Sequence, residues 1–118
     1  MGAAGWKGAV VKTMFAVEQG DILLVEGVVT PVLVVSKNFF NRTEQVIACP
    51  IRKKARPDPL HIEVCADDFR GIVLCEQMKL LDLHARGYKK ISSLPAAAIM
   101  DVIDAVQGIF DYYPYGNF

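Results

Sequence analysis

Residues 71–95 read Gly-Ile-Val-Leu-Cys-Glu-Gln-Met-Lys-Leu-Leu-Asp-Leu-His-Ala-Arg-Gly-Tyr-Lys-Lys-Ile-Ser-Ser-Leu-Pro, and this stretch is the most informative part of the chain. The unbroken apolar run at residues 72–75 predicts a buried strand. Residues 76–84 have no clear period and predict one helical turn or an irregular link. Residues 89–92 predict a short edge strand. The stretch therefore predicts a strand, a link, a second strand and the start of the next element.

That next element is an amphipathic helix. We expect Ser92 or Ser93 to cap it and Pro95 to lie in its first turn, where the first N–H groups have no partner within the helix. Helical spacing of apolar side chains predicts one buried face, formed by Ile99, Val102, Ile103, Val106, Ile109 and Phe110.

Upstream, short apolar runs separated by turn residues predict several strands. They lie at residues 21–25, 31–36, 45–51 and 60–64. Residues 38–42 predict a turn that carries Phe39 and Phe40 into the core. Many short strands followed by one amphipathic helix favour a mainly β fold with α, in which the C-terminal helix covers a small β-barrel.

The 118 residues suit a single domain. Residues 1–19 are predicted to form an N-terminal arm, and glycines near its start argue against order there. Residues 20–118 are predicted to form the barrel domain, and the aromatic tail at residues 110–118 is expected to fold back over the barrel or over a partner subunit. No apolar run is long enough for a bilayer, and lysines interrupt the apolar start, so neither a membrane partner nor a signal peptide is expected.

Charge is balanced overall but not along the chain. The formal net charge is zero, yet residues 1–60 carry eight basic and five acidic side chains, whereas residues 61–118 carry five and eight. The amino half therefore has a net charge of +3, and a site for a polyanion is expected there.

The three cysteines, Cys49, Cys65 and Cys75, make neither a disulfide framework nor a zinc site, because their number is odd and no C-x-x-C spacing occurs. Each lies among apolar residues and is expected to be a small buried core residue. No spacing of His, Cys and carboxylates suggests a metal or other cofactor. A reducing cytoplasm is the simplest location.

Several short pieces occur in an order that resembles the MazF/PemK family of toxins from bacterial toxin–antitoxin modules. The resemblance extends from about residue 20 to about residue 110. Its pieces are Gly20-Asp21-Ile22, Pro31-Val32-Leu33-Val34-Val35-Ser36, Phe40-Asn41-Arg42, Cys49-Pro50-Ile51, His61-Ile62-Glu63-Val64, Gly71-Ile72-Val73-Leu74-Cys75-Glu76-Gln77 and Ala85-Arg86-Gly87.

The resemblance implies an SH3-like barrel with a C-terminal helix, a homodimer, and a small antitoxin protein as partner. It also implies a metal-independent endoribonuclease that acts on single-stranded mRNA. In such chemistry the ribose 2′-hydroxyl attacks the adjacent phosphate. A base must take the hydroxyl proton, a donor must protonate the leaving oxygen, and positive charge must stabilise the phosphate.

The family's main catalytic pair is an arginine before the proline of the second strand and a threonine after the Pro-Ile of the third. Here Thr30 precedes Pro31, and Arg52 follows the third-strand Pro-Ile pair. The carboxylate before Gln77 is retained as Glu76. The resemblance therefore implies Thr30, Arg52 and Glu76 as the catalytic positions, with the first two substituted.

Two interpretations stay open. In one, arginine and threonine have exchanged places, so that Arg52 supplies the charge and Thr30 the hydroxyl. In the other, catalysis is lost or reduced and the chain is a protein-binding or nucleic-acid-binding module. The loop before Pro31 is also shortened, to residues 26–30, which removes backbone that would line an RNA groove.

The basic run after the third strand predicts RNA binding, because its cations can contact phosphates. The predicted RNA-binding residues are Arg52, Lys53, Lys54, Arg56 and Gln77. A basic run can also be a solvated loop. His61 and His84 are each isolated, and an isolated histidine is more typical of a hydrogen-bonded residue than of a catalytic base.

Overall fold

The computed structural model describes residues 16–110, which form seven strands, two helices and one 3-10 turn. Residues 1–15 of the predicted arm and the tail beyond residue 110 lie outside this described part. In chain order the elements are β1 (Asp21–Val25), β2 (Val32–Val34), α1 (Asn38–Asn41), β3 (Gln45–Arg52), β4 (His61–Ala66), β5 (Phe69–Leu74), the 3-10 turn (Cys75–Gln77), β6 (Lys79–Asp82), β7 (Tyr88–Ser93) and α2 (Ala96–Phe110).

All seven strands belong to one antiparallel sheet. Its order is β4-β5-β3-β2-β1-β7, and β6 pairs with the first half of β3. Residues 65–67, at the end of the first strand of this order, and residues 93–95, at the end of the last, line a common cavity, so the sheet curls back on itself. The predicted fold class is confirmed: a mainly β fold with α, made of a strongly curled, barrel-like sheet and a C-terminal helix.

The sheet is buried on both faces, because successive side chains of a strand point to opposite sides. In β3, Cys49 and Ile51 belong to one hydrophobic cluster, whereas Val46 and Ala48 belong to another. Helix α2 covers the first cluster with the fully buried Val102 and with Ile99, Ile103 and Val106. The predicted helix face is confirmed at these positions, whereas Ile109 and Phe110 are exposed.

The segment at residues 38–42 differs from its prediction. It forms the short helix α1, and Phe39 is 68% exposed, so the prediction that both aromatics enter the core is wrong. The buried side chain is Asn41, which donates from Nδ2 to the Ser36 carbonyl at 3.0 Å. The Ser36 hydroxyl accepts the Ile47 amide at 2.9 Å. This polar cluster ties α1 to β3 and satisfies the buried amide.

The link predicted at residues 76–84 contains strand β6. Its register places Leu81 opposite Val46 and Lys79 opposite Ala48 on β3. The serines predicted as helix caps lie in β7 instead, because α2 begins at Ala96, beyond Pro95. The amides of residues 98 and 99 both donate to the Pro95 carbonyl.

Residues 17–19 of the predicted arm contact the barrel. Val17 is buried in the second cluster, and Gln19 donates from Nε2 to the Val35 carbonyl at 2.8 Å. No helix in the range 16–110 is long and apolar enough to cross a membrane.

Candidate functional site

Thr30 and Arg52 lie opposite each other at one end of the β2–β3 pair. The register pairs Val32 with Pro50, and the Ile51 amide donates to the Pro31 carbonyl at 2.9 Å. Extending this register by two residues places Thr30 across from Arg52. Since alternate residues share a face, their side chains lie on the same side as Val32 and Pro50.

That side forms the floor of a cavity of about 350 Å³, which we call the cationic cavity. Its polar lining residues are Thr30, Arg52, Gln77, Lys79 and Arg86. Apolar side chains and Gly27 complete the lining, and none of the lining residues is acidic. Three cations without a lining carboxylate favour an anionic ligand such as a phosphodiester.

Two of these cations, Lys79 and Arg86, were absent from the predicted site. Lys79 reaches the cavity because β6 pairs with β3, and that strand was not predicted. The alternation of Lys79 with the buried Leu81 is a short period-2 signal that could have indicated it. Arg86 belongs to the Ala85-Arg86-Gly87 piece of the family resemblance, which implies no role for it in the site.

The shortened link at residues 26–30 forms one wall of the cavity. Gly27 has φ of +83°, which a glycine adopts without strain. The Glu26 amide donates to the Gly87 carbonyl at 2.8 Å, and the Gly87 amide donates to Glu26 Oε1 at 3.0 Å. Arg86 adds a third bond, from Nη1 to the Glu26 carbonyl at 3.1 Å. These bonds fix the wall, and they hold Arg86 at the cavity.

Arg52 is held at the end of β3 by a close approach of β5. A methyl group added at Gly71 would lie 2.4 Å from Cγ2 of Ile51 and 3.3 Å from the Arg52 carbonyl oxygen. Only a residue without a side chain fits this approach. The glycine therefore helps to set the position of the Arg52 backbone beside the cavity.

The predicted catalytic carboxylate, Glu76, does not line the cavity. It lies one residue away, and Gln77 Nε2 is 3.5 Å from Glu76 Oε2. The same oxygen is 3.0 Å from His61 Nε2. The hydrogen bond from His61 is the largest cause of a lowered pKa at Glu76. Glu76 is therefore held as a carboxylate near the cavity edge.

The remaining predicted RNA-binding residues, Lys53, Lys54 and Arg56, do not line the cavity. They are exposed in the loop at residues 53–60, which starts directly after Arg52. The Arg56 carbonyl is 2.7 Å from His61 Nδ1. The structure thus brings Thr30, Arg52 and Gln77 together in the cavity, and it places the basic loop beside them.

The other candidate groups lie elsewhere. His84 Nδ1 is 2.9 Å from Glu44 Oε1, in a surface contact outside the cavity. Burial raises the pKa of the Cys49 thiol to about 12 and that of Cys75 to about 11. Cys65 is exposed on β4, so its predicted burial is wrong. Across residues 16–110, no group of three or more His, Cys, Asp or Glu could hold a metal.

Known structures define the class of fold. A chain of the MazE–MazF crystal structure from Deinococcus radiodurans superposes with a TM-score of 0.71 at 23% identity, covering 79% of this chain and 94% of that one. An endoribonuclease from a mycobacterial species gives a TM-score of 0.73 at 22% identity, covering 87% and 100%. At these identities the likeness shows the fold, which is that of MazF-type toxins.

Sequence comparison identifies the family. The model for the PemK-like, MazF-like toxin of type II toxin–antitoxin systems matches residues 8–110. The endoribonuclease toxin ChpB of Escherichia coli strain K12 is 30% identical, over 80% of this chain and 94% of ChpB. The chain belongs to the PemK/MazF toxin family.

Proposed function

We propose that the protein is a toxin that binds single-stranded RNA in the cationic cavity and cleaves it without a metal or other cofactor. The observation that carries the proposal is the position of Thr30 opposite Arg52 on the cavity floor. The two residue types that the family uses are both present there, on exchanged strands. This supports the exchanged arrangement over loss of catalysis.

In the proposed reaction, the ribose 2′-oxygen forms a bond to the adjacent phosphorus and the bond from phosphorus to the 5′-oxygen breaks. Glu76 takes the 2′-hydroxyl proton, and solvent protonates the leaving 5′-oxygen. Arg52 neutralises charge on the phosphoryl oxygens, assisted by Lys79 and Arg86, and the Thr30 hydroxyl donates to one of them. The products are a 2′,3′-cyclic phosphate and a 5′-hydroxyl.

We further propose two kinds of protein partner and a cytoplasmic location. The family is one of toxin–antitoxin systems, and a mycobacterial endoribonuclease has been solved with its cognate antitoxin. A small antitoxin with an acidic segment would neutralise Arg52, Lys79 and Arg86 and thereby block RNA. A homodimer would bring two such cavities into one particle.

The test is digestion of a long mRNA by the purified protein in excess EDTA. Discrete fragments ending in 2′,3′-cyclic phosphates are expected. Arg52→Ala should weaken both binding and cutting, whereas Arg70→Ala, which removes the same charge from β5 outside the cavity, should retain both. Absence of cutting at high protein concentration would exclude the catalytic part of the proposal.

The alternative function is a catalytically degenerate homologue that binds nucleic acid or protein. It is favoured by one observation: Glu76 lies outside the cavity lining and is bonded to His61. Binding of RNA without cutting would support this alternative. Competition by single-stranded DNA of the same sequence would show whether the cavity needs the 2′-hydroxyl.

A further inference from the structure

His61 lies between a backbone carbonyl oxygen and a glutamate carboxyl oxygen, which when ionised only accepts hydrogen bonds. Its Nδ1 is 2.7 Å from the Arg56 carbonyl oxygen, and its Nε2 is 3.0 Å from Glu76 Oε2. The side chain is 9% exposed. We call this arrangement the His61 bridge. It connects the basic loop at residues 53–60 to the turn that carries Gln77.

Hydrogen-bond chemistry fixes the protonation state that fits this arrangement. A neutral imidazole carries one N–H and donates to only one partner, whereas the imidazolium donates from both nitrogens. A carbonyl and a carboxylate both require a donor. With Glu76 ionised, as its lowered pKa favours, both contacts are therefore satisfied together only when His61 is positively charged.

We propose that His61 is a positioning residue of the RNA site, which in its charged form holds the basic loop and the Glu76 carboxylate in one arrangement beside the cationic cavity. Loss of one proton from the ring leaves one of two oxygens facing a nitrogen lone pair. The loop or the carboxylate must then move away. The effect of the bridge on RNA binding rests on the proposed function. The bridge itself is a property of the free protein and does not depend on RNA.

The charged groups that face the His61 ring are negative, which favours its positively charged form. Glu76 approaches from the 3-10 turn and Asp58 from the loop, and both carboxylates favour the imidazolium. Arg56 contributes its carbonyl, which is the largest cause of the raised pKa of His61 and outweighs the opposing effect of burial. The same contact lowers the pKa of Glu76.

The sign of the pH dependence follows from these two directions. A raised histidine pKa stabilises the bridge below 6.5, and this stabilisation is lost as pH rises through the higher folded value. A lowered glutamate pKa stabilises it above 4.5, and this is lost as pH falls through the lower folded value. The bridge is therefore complete from below pH 4.5 to above pH 6.5.

For RNA binding, the consequence is an alkaline limit. As His61 loses its proton, the loop that carries Lys53, Lys54 and Arg56 is released from Glu76, and its phosphate contacts become less favourable. We expect affinity for a 2′-deoxy-substituted, non-cleavable RNA to fall on the order of tenfold, the equivalent of one charge-assisted hydrogen bond. The glutamine of the His61→Gln variant cannot titrate, so its RNA affinity should not show this fall at alkaline pH.

The experiment is an NMR titration of the intact protein with labelled histidines, assigned with His61→Gln. His61 should titrate with a midpoint above 6.5 and with both ring nitrogens protonated below it. Glu76→Gln should lower that midpoint. Glu63→Gln, which removes an exposed carboxylate two residues away on β4, should leave it unchanged. A His61 midpoint at or below 6.5, or one indifferent to Glu76→Gln, would overturn the bridge.

The RNA measurement separates this inference from the proposed function. If the titration gives the expected result but RNA does not bind, the bridge stands and the proposed RNA function fails. If RNA binds with the same pH dependence in the wild type and in His61→Gln, the positioning role is overturned. Loss of affinity at every pH in His61→Gln, with the alkaline limb unchanged, would also overturn it.

Discussion

Thr30 and Arg52 line the same cavity, at the positions that become opposite when the β2–β3 register is extended two residues beyond the pair Val32 and Pro50. An exchange of residue types between directly opposed positions keeps both groups on one face of the sheet. In the proposed exchange, the cation would move from the segment before β2 to the end of β3 and would remain in the cavity. This geometry would let a chain in which both proposed catalytic positions are substituted present a threonine and an arginine to the same ligand.

Replacing Arg52 should weaken RNA binding through loss of a phosphate contact. Arg52→Ala should lower affinity in a sequence-independent way, and the dependence of log K on log salt should become shallower by about 0.7, the value for one phosphate of a single strand. Fluorescence anisotropy at several salt concentrations measures both. Arg70→Ala is the matched control, and an equal change in its slope would show a general charge effect instead.

Gly71 should be sensitive to a single methyl group. Gly71→Ala places a carbon 2.4 Å from Ile51 Cγ2, and overpacking of this kind costs about 1–3 kcal/mol of unfolding free energy. Gly108→Ala is the opposite control, because it lies in α2 with nothing within 4 Å of the added carbon. Helix propensity predicts a gain of about 0.5–1 kcal/mol there. Urea unfolding should show a lower free energy of unfolding for Gly71→Ala and a higher one for Gly108→Ala. Changes of the same sign would contradict the close packing at Gly71.

The buried carboxylate of Asp21 should make Lys90 important for stability. Asp21 is 2% exposed and lies 3.2 Å from Lys90 Nζ, and it also accepts the Glu18 amide at 2.9 Å. Lys90→Ala leaves this charge with one partner fewer and should cost about 1–3 kcal/mol. Lys89→Ala, at the exposed neighbour on β7, should change stability by less than about 0.5 kcal/mol. Thermal unfolding distinguishes them, and similar midpoints for the two variants would argue against the pairing.

Thiol labelling should separate the three cysteines. Cys65 is exposed, whereas Cys49 and Cys75 are buried with pKa values raised to about 12 and 11, so both remain thiols at neutral pH. Ellman's reagent should therefore modify one thiol rapidly in the native protein and all three after unfolding. Cys65→Ser should abolish the rapid phase. A second rapid thiol in that variant would contradict the buried positions.

The sequence predicted the parts of this fold that depend on local pattern. Residues 21–25 form a strand as expected, because an apolar run follows Gly20 and precedes a glycine turn. The alternation in β4, where Val64 and Ala66 are buried, also indicates that Cys65 points outward, although apolar composition alone suggested burial. The local alternation of apolar and polar residues therefore predicts both where a strand lies and which of its side chains point into the core.

Features that depend on distant partners could not be predicted in this way. Strand β6 has only four residues, and it is stabilised by pairing with β3 more than thirty residues earlier. Only the structure therefore shows that Lys79 lines the cavity. The His61 bridge likewise needs β4, the basic loop and the 3-10 turn to approach one another in three dimensions. No residue spacing in the sequence records that approach.

In the proposed reaction, Thr30 and Arg52 act together on one phosphate. The direct measurement is a double-mutant cycle of single-turnover RNA cleavage in EDTA, with the wild type, Thr30→Val, Arg52→Ala and the double variant. Each single variant should lose on the order of 100-fold in rate, and the double variant should be little slower than the slower single variant, because residues that act as a unit are not additive. Independent, multiplicative losses, or a wild-type rate that Thr30→Val leaves unchanged, would contradict the account.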